Sequence, residues 1–344
     1  MGNTDIVADA GASQFGADIG MTLASITYCA DIAGAISTFA SGWTLAWLPD
    51  KDINGNYAFI ARSDDGGLYA VAIRGSLLNF SWAAFDNWFE QDFNVFEQVD
   101  WQYPADPANQ PKISKGSSDG LDDLTSLVQT DSNGQTTTLF EFLLANAVGP
   151  GKSIAVVGHS LGGSLATVLA PWLHYQIGQA GQTPPPFSVY TFAAPPAGNE
   201  AFVSAYDALF ANSWRYFNVL DIVPMASVPL SIIGMGLLYL PEPQAGQISV
   251  TYEGHTVTLS EAFDAIAVLI GSSEIANDFS FYSQTNLARG SVPLNPDASF
   301  CKPDQTEPLV EQWFWKAGCE HVHNTYLQLL GAPQVTCTQV SFTP

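Results

Sequence analysis

Apolar and polar positions change period several times along this chain, and each change marks an element. From Trp43 to Ile73 they alternate around two turn signals, Asp52-Ile53-Asn54-Gly55 and Asp64-Asp65-Gly66-Gly67. That pattern predicts antiparallel strands, the last being Tyr69-Ala70-Val71-Ala72-Ile73-Arg74. Before them, Met21 to Phe39 fits one helix, and residues 1–20, rich in Gly, Ala and Asp, predict an arm. Trp82, Phe85, Phe89, Phe93 and Phe96 then recur three and four residues apart, one face of a helix, with Asp86, Glu90, Gln91, Asn94 and Glu97 on the other side. Such a face suits a helix docked on the core or a mobile cover over an apolar site, and the pattern leaves both open.

Further on, Ser117–Val128 and Thr137–Ala147 read as helices around an Asp131-Ser132-Asn133-Gly134 turn. Strand patterns over Ser153–Val157, Phe187–Phe192 and Trp214–Leu220 alternate with helical ones up to Gln179 and over Ala201–Leu209. Strand and helix in alternation predict an α/β sheet with a parallel core. After Asp221 the pattern loosens. Val228 to Leu240 is apolar with no clean period, a hairpin is expected around Glu253-Gly254, and Glu261–Leu269 reads as a helix.

The chemistry concentrates at Gly158-His159-Ser160-Leu161-Gly162, which lies between an apolar β-branched run and a long Ala/Leu-rich stretch. G-x-S-x-G at a strand-to-helix turn is the nucleophile elbow. The turn lifts the serine hydroxyl above the sheet, and bare glycines let neighbouring chain pass on both sides. By itself the pattern is weak, and its context carries it. A serine nucleophile needs a base, and the base an orienting acid. Asp221 stands at the end of a strand, where sites form in open α/β sheets. His255, His321 and His323 follow Ser160 with room for an acid between. If their segment is extended, His321 and His323 point to opposite faces, so only one can meet Ser160.

Composition narrows the partners. Lys and Arg total 10 against 33 Asp and Glu, a net charge of −23, which argues against nucleic acid and anionic membrane surfaces. No apolar run is long enough to span a bilayer. Met1-Gly2-Asn3-Thr4-Asp5 has neither the basic start nor the apolar core of a leader. Four cysteines without a C-x-x-C pair favour disulfides over zinc, and hence a secreted protein that has lost its leader; a cytosolic chain with four reduced cysteines is the alternative. The His321-x-His323 pair has no third ligand placed nearby, so no metal and no cofactor are expected.

Five segments together resemble the class 3, or fungal-type, lipase family of the α/β-hydrolase superfamily, from about Met21 to about Leu330. They are the elbow with its helix start, Thr191-Phe192-Ala193-Ala194-Pro195-Pro196-Ala197-Gly198-Asn199, Asn218-Val219-Leu220-Asp221-Ile222-Val223-Pro224, Arg74-Gly75-Ser76, and His323-Asn324-Thr325-Tyr326. The resemblance implies an α/β-hydrolase fold, a mostly parallel sheet flanked by helices with a lid insertion. It implies Ser160 as nucleophile, Asp221 as acid and, because a tyrosine follows three positions later, His323 rather than His321 as base. Ser76 and Leu161 are implied for the oxyanion hole. Trp82, Phe85, Trp88, Phe89 and Phe93 are expected to line a lid or acyl site. Cys301 and Cys319 bracket the loop before the histidines, and their bridge is expected; fungal members often tie the N-terminal helix to the C-terminal segment, which Cys29 and Cys337 resemble.

The chain departs from the family in a longer stretch between Ser76 and Asp86 and in added apolar material. One domain over residues 1–344 is therefore expected, with a lid at about 77–97 and an apolar insertion at about 225–270. The activity implied is hydrolysis of neutral lipid esters such as triacylglycerol, at an oil–water interface, by a monomer. Feruloyl or short-chain esterase, phospholipase A1 and a non-catalytic binding module are the alternatives.

Overall fold

The computed structural model describes residues 15–50, 55–76, 80–87, 97–226, 228–239, 244–271, 291–297 and 301–339. Seven strands make the main sheet: β1 (Trp43–Trp47), β2 (Ala58–Ser63), β3 (Leu68–Ile73), β4 (Ser153–His159), β5 (Phe187–Phe192), β6 (Ser213–Asn218) and β7 (Ser291–Leu294), in that spatial order. β1 to β3 pair antiparallel, as the alternation and its turns predict. From β3 onward every pairing is parallel. This is the mostly parallel sheet flanked by helices that the resemblance implied.

β4 lies at the centre and is buried on both faces. Ile154 and Val156 point into one apolar cluster with Leu165, Leu169 and Leu173, while Ala155 and Val157 point into another with Met21, Ile26 and Tyr326. The two-residue period of a strand divides its side chains between the two layers in this way. The helices of the first layer are α4 (Lys115–Ser126), α5 (Leu139–Asn146), α6 (Leu161–Gln179) and α7 (Glu200–Leu209); α1 (Ala17–Ile26) and α2 (Ile32–Phe39) cover the opposite face.

A third apolar cluster lies around the segment after Asp221. Here α8 (Pro229–Met235) and α9 (Leu259–Gly271) pack with α3 (Trp82–Asn87) and with α10 (Leu309–His321), through Ile232, Met235, Phe263, Phe85, Trp313 and Phe314. A hairpin of Ser249–Tyr252 and His255–Thr258 joins them. The Trp82 indole N–H donates to the Thr251 carbonyl at 2.9 Å, so α3 and this hairpin are fastened to each other.

Two differences from the sequence reading bear on function. The single helix expected over Met21–Phe39 is two, broken at Thr27-Tyr28-Cys29-Ala30, with Asp31 capping the second through the Gly34 N–H. The break lets Cys29 bond to Cys337 and pair with Gln339. The C-terminal histidine segment is not extended. His321 ends α10, Val322 alone breaks the helix, and His323 begins α11 (His323–Leu329). Cys301 is bonded to Cys319, two residues before His321. Thus the two bonded pairs are those expected. Trp88, Phe89, Phe93 and the Asp52-Ile53-Asn54 turn lie outside the described residues.

Candidate active site

The elbow is built as its residues require. Ser160 follows β4 and precedes α6 with φ 60° and ψ −132°, a strained conformation for a residue with a side chain. Its N–H donates to Phe192 O at 2.8 Å, which holds the turn against β5. A Cβ on Gly158 would lie 2.0 Å from the Gly162 carbonyl oxygen, and one on Gly162 would lie 2.4 Å from that of Ile73. Only glycine allows these approaches, so the end of β3 passes directly over the turn.

That passage carries Arg74-Gly75-Ser76 to the serine. A Cβ on Gly75 would fall 2.8 Å from the Ser160 Cβ. Ser76, the next residue, is half-buried at this corner, and Leu161 is the first residue of α6. The Leu161 N–H belongs to the helix start, where amides lack intrahelical partners and the dipole is positive.

His321, and not His323, meets the serine. The His321 Nε2 lies 2.9 Å from the Ser160 Oγ, and its Nδ1 lies 2.8 Å from the Asp221 Oδ2. The expectation for His323 is corrected. Its ring stacks on Tyr28, centroids 5.0 Å apart and planes 8° apart, and its Nε2 faces the Gln339 amide at 3.1 Å. The reason is the one-residue break at Val322, which sends the two imidazoles apart from successive helices. Tyr326 nonetheless belongs to the site. Its hydroxyl donates to the Asp221 Oδ2 at 2.7 Å and accepts the Asn218 N–H at 2.9 Å. The tyrosine that pointed to His323 therefore bonds Asp221 instead.

Asp221 is wholly enclosed. Its Oδ1 accepts the Val223 N–H at 2.9 Å, and its Oδ2 accepts from both His321 and Tyr326. A buried carboxylate needs such donors to remain ionised. With Asp221 accepting, His321 Nδ1 carries the ring proton and Nε2 is free to accept the serine's. Arg215, buried nearby, donates to the Ala194 and Pro224 carbonyls, and burial lowers its pKa to about 10.

The helix that carries His321 is itself anchored. Glu320 accepts from the Asn218 side-chain amide at 2.8 Å and pairs with Lys316 at 3.2 Å, and Lys316 donates to the Cys301 carbonyl at 2.9 Å. These buried contacts join α10 to the strand end that leads to Asp221. Over the site, the Phe80 ring lies 5.3 Å from that of His321, and the Ser160 side chain has no exposure to solvent. Phe80, Tyr28 and His159 are neighbours of the Ser160, His321 and Asp221 cluster that the sequence reading left without a role. Among the described residues no group of His, Cys, Asp and Glu is arranged to hold a metal ion.

The family profile Lipase (class 3) matches residues 70–230, the span from β3 through the elbow and Asp221 to the start of α8. Over that span the chain is similar to the class 3 lipase family. It is accordingly a serine hydrolase acting on carboxylic esters. A solved M37 lipase is 23% identical to it over 93% of this chain and 94% of that one, with a TM-score of 0.68, a likeness in fold. The Rhizomucor miehei triacylglyceride lipase is 23% identical over 61% of this chain and 72% of its own, TM-score 0.45. For the lipase from Rhizopus microsporus var. chinensis the figures are 23%, 61%, 67% and 0.44. No curated protein matches the sequence significantly. Among the described residues no helix is long and apolar enough to cross a membrane.

Proposed function

We propose that this chain hydrolyses neutral lipid esters, triacylglycerol foremost, through a covalent acyl-enzyme on Ser160. The observation that carries the reading is the hydrogen-bonded line from Ser160 Oγ through the His321 ring to Asp221. His321 takes the serine proton as the hydroxyl attacks the ester carbonyl, then gives it to the leaving alcohol. Asp221 holds the imidazole with its proton on Nδ1 and stabilises the imidazolium. The N–H groups of Ser76 and Leu161 receive the developing oxyanion. Water, deprotonated by His321, then attacks the acyl-enzyme, and the acid leaves with Ser160 restored.

The surroundings support a neutral, apolar substrate. Phe80, Trp82 and Phe85 abut α8 and α9, and we read this assembly as a cover and acyl-chain wall. The net charge of −23 disfavours anionic phospholipid head groups. Two disulfides favour an oxidising compartment and thus secretion.

The test is a chain-length series of p-nitrophenyl esters beside an emulsified triglyceride. Hydrolysis of the emulsion, with a preference for longer acyl chains, is the expected result. Activity confined to short dissolved esters would reject the triglyceride reading, and inactivity on all esters would favour a binding module.

A further inference from the structure

Two buried polar side chains next to the serine take no part in the mechanism above, yet they are bonded to each other and to the His321 carbonyl. His159 is the residue before Ser160. Its Nε2 lies 2.9 Å from the main-chain carbonyl oxygen of His321. A carbonyl only accepts, so Nε2 carries the ring proton. His159 Nδ1 is then an acceptor, and the Tyr28 hydroxyl donates to it at 2.9 Å. The same hydroxyl lies against the Gly75 backbone, where a Cβ would fall 2.5 Å from it. The bonds therefore run in one sense, from Tyr28 O–H to His159 and from His159 N–H to the His321 carbonyl, with Gly75 packed against the phenol oxygen.

Each end of this line touches something the reaction needs. Gly75 directly precedes Ser76, at the corner assigned to the oxyanion. The His321 carbonyl is the last in α10, beyond the intrahelical ladder, where it needs an outside donor. His159 supplies that donor. Both rings are buried, which favours the neutral form of each. A neutral His159, its ring 4.9 Å from that of His321, adds no positive charge beside the imidazolium that forms during turnover. Tyr28 is held in turn by its stack on His323 and by the Cys29–Cys337 bond next to it.

We propose that Tyr28 and His159 are positioning residues for the base. They cap the end of α10 through the His321 carbonyl and pack against Gly75, so that the imidazole and the oxyanion corner keep one spacing around Ser160. The inference rests on the reading of Ser160 and His321 as nucleophile and base.

The experiment measures kcat and KM for p-nitrophenyl butyrate per active site, counted by stoichiometric labelling with an alkyl phosphonate. Tyr28→Phe deletes one oxygen and keeps the stack. His159→Leu removes both hydrogen bonds, and His159→Gln can still place an N–H near the Nε2 position. Misplacing a reacting group by about 1 Å costs about 100-fold, so His159→Leu is expected to lose kcat on that scale with little change in KM. Tyr28→Phe should lose less, and His159→Gln should recover much of the loss. A purely structural role would lower the labelled fraction while leaving kcat per labelled site at the wild-type value, and that result overturns the proposal. His159→Gln no better than His159→Leu overturns it too. Ser160→Ala, run alongside, separates the two readings: residual turnover there would remove the nucleophile itself, whereas a dead Ser160→Ala with full kcat in the other variants removes only the positioning line.

Discussion

Tyr326 and His321 donate to the same oxygen, the Oδ2 of Asp221, at 2.7 and 2.8 Å. The two donors come from consecutive helices, one on each side of the break at Val322. One carboxylate oxygen thereby fixes both the imidazole and the start of the chain's last described helix. Removing the phenol oxygen also strands the buried Asn218 N–H, a loss of about 1–3 kcal/mol for an unsatisfied group. Tyr326→Phe is expected to lower stability by that order and to reduce kcat, with KM on a dissolved ester unchanged. Urea unfolding and steady-state kinetics check it; unaltered stability and turnover would mean that the Tyr326 bond contributes to neither.

The fully buried Ser160 under Phe80 leads to a second expectation. In this conformation no ester can reach the hydroxyl, so the aromatic cover must shift for turnover. Phe80→Ala is expected to raise the rate on dissolved p-nitrophenyl butyrate and to reduce the ratio of emulsified to dissolved activity. Rates measured below and above the solubility limit decide. A ratio equal to the wild type's would show that Phe80 does not limit access.

His323 gives a pH dependence with a definite sign. Burial, reinforced by the nearby His321, holds its pKa at about 4, against about 6.5 in an unfolded chain. Between those values the unfolded chain binds a proton that the folded one excludes. The folded state's advantage is therefore complete above about pH 6.5 and is lost progressively as the pH falls to about 4, a change of about 3 kcal/mol. His323→Gln removes this contribution. Unfolding free energies at neutral pH and near pH 4 should show the wild type losing more stability than the variant, by roughly that amount. Equal losses would mean that His323 titrates as an exposed histidine does.

How much of this was legible in the sequence depended on how local each feature is. The elbow is a property of five adjacent residues and its flanking strand and helix, and it was readable as such. Asp221 was readable because it ends a strand whose pattern is clear. The base was not, because the choice between His321 and His323 turns on where α10 stops, and α10 is held by distant partners of Glu320 and Lys316. The same is true of the break at Tyr28-Cys29, where Cys337 and His159 override a continuous helical pattern. The expected tyrosine is present and bonded to the acid, but its spacing from the histidine is five residues instead of three.

The central claim is that Ser160 is activated by His321. The direct measurement is kcat/KM of His321→Ala and His323→Ala on p-nitrophenyl butyrate, each corrected for folded protein by circular dichroism. Loss of a triad member typically leaves only the residual catalysis of the oxyanion hole and substrate binding, a fall of about 10⁴-fold or more. His321→Ala is expected to fall to that level, and His323→Ala to keep activity of the wild-type order. A ranking in the opposite direction, with His323→Ala inactive and His321→Ala active, would contradict the account.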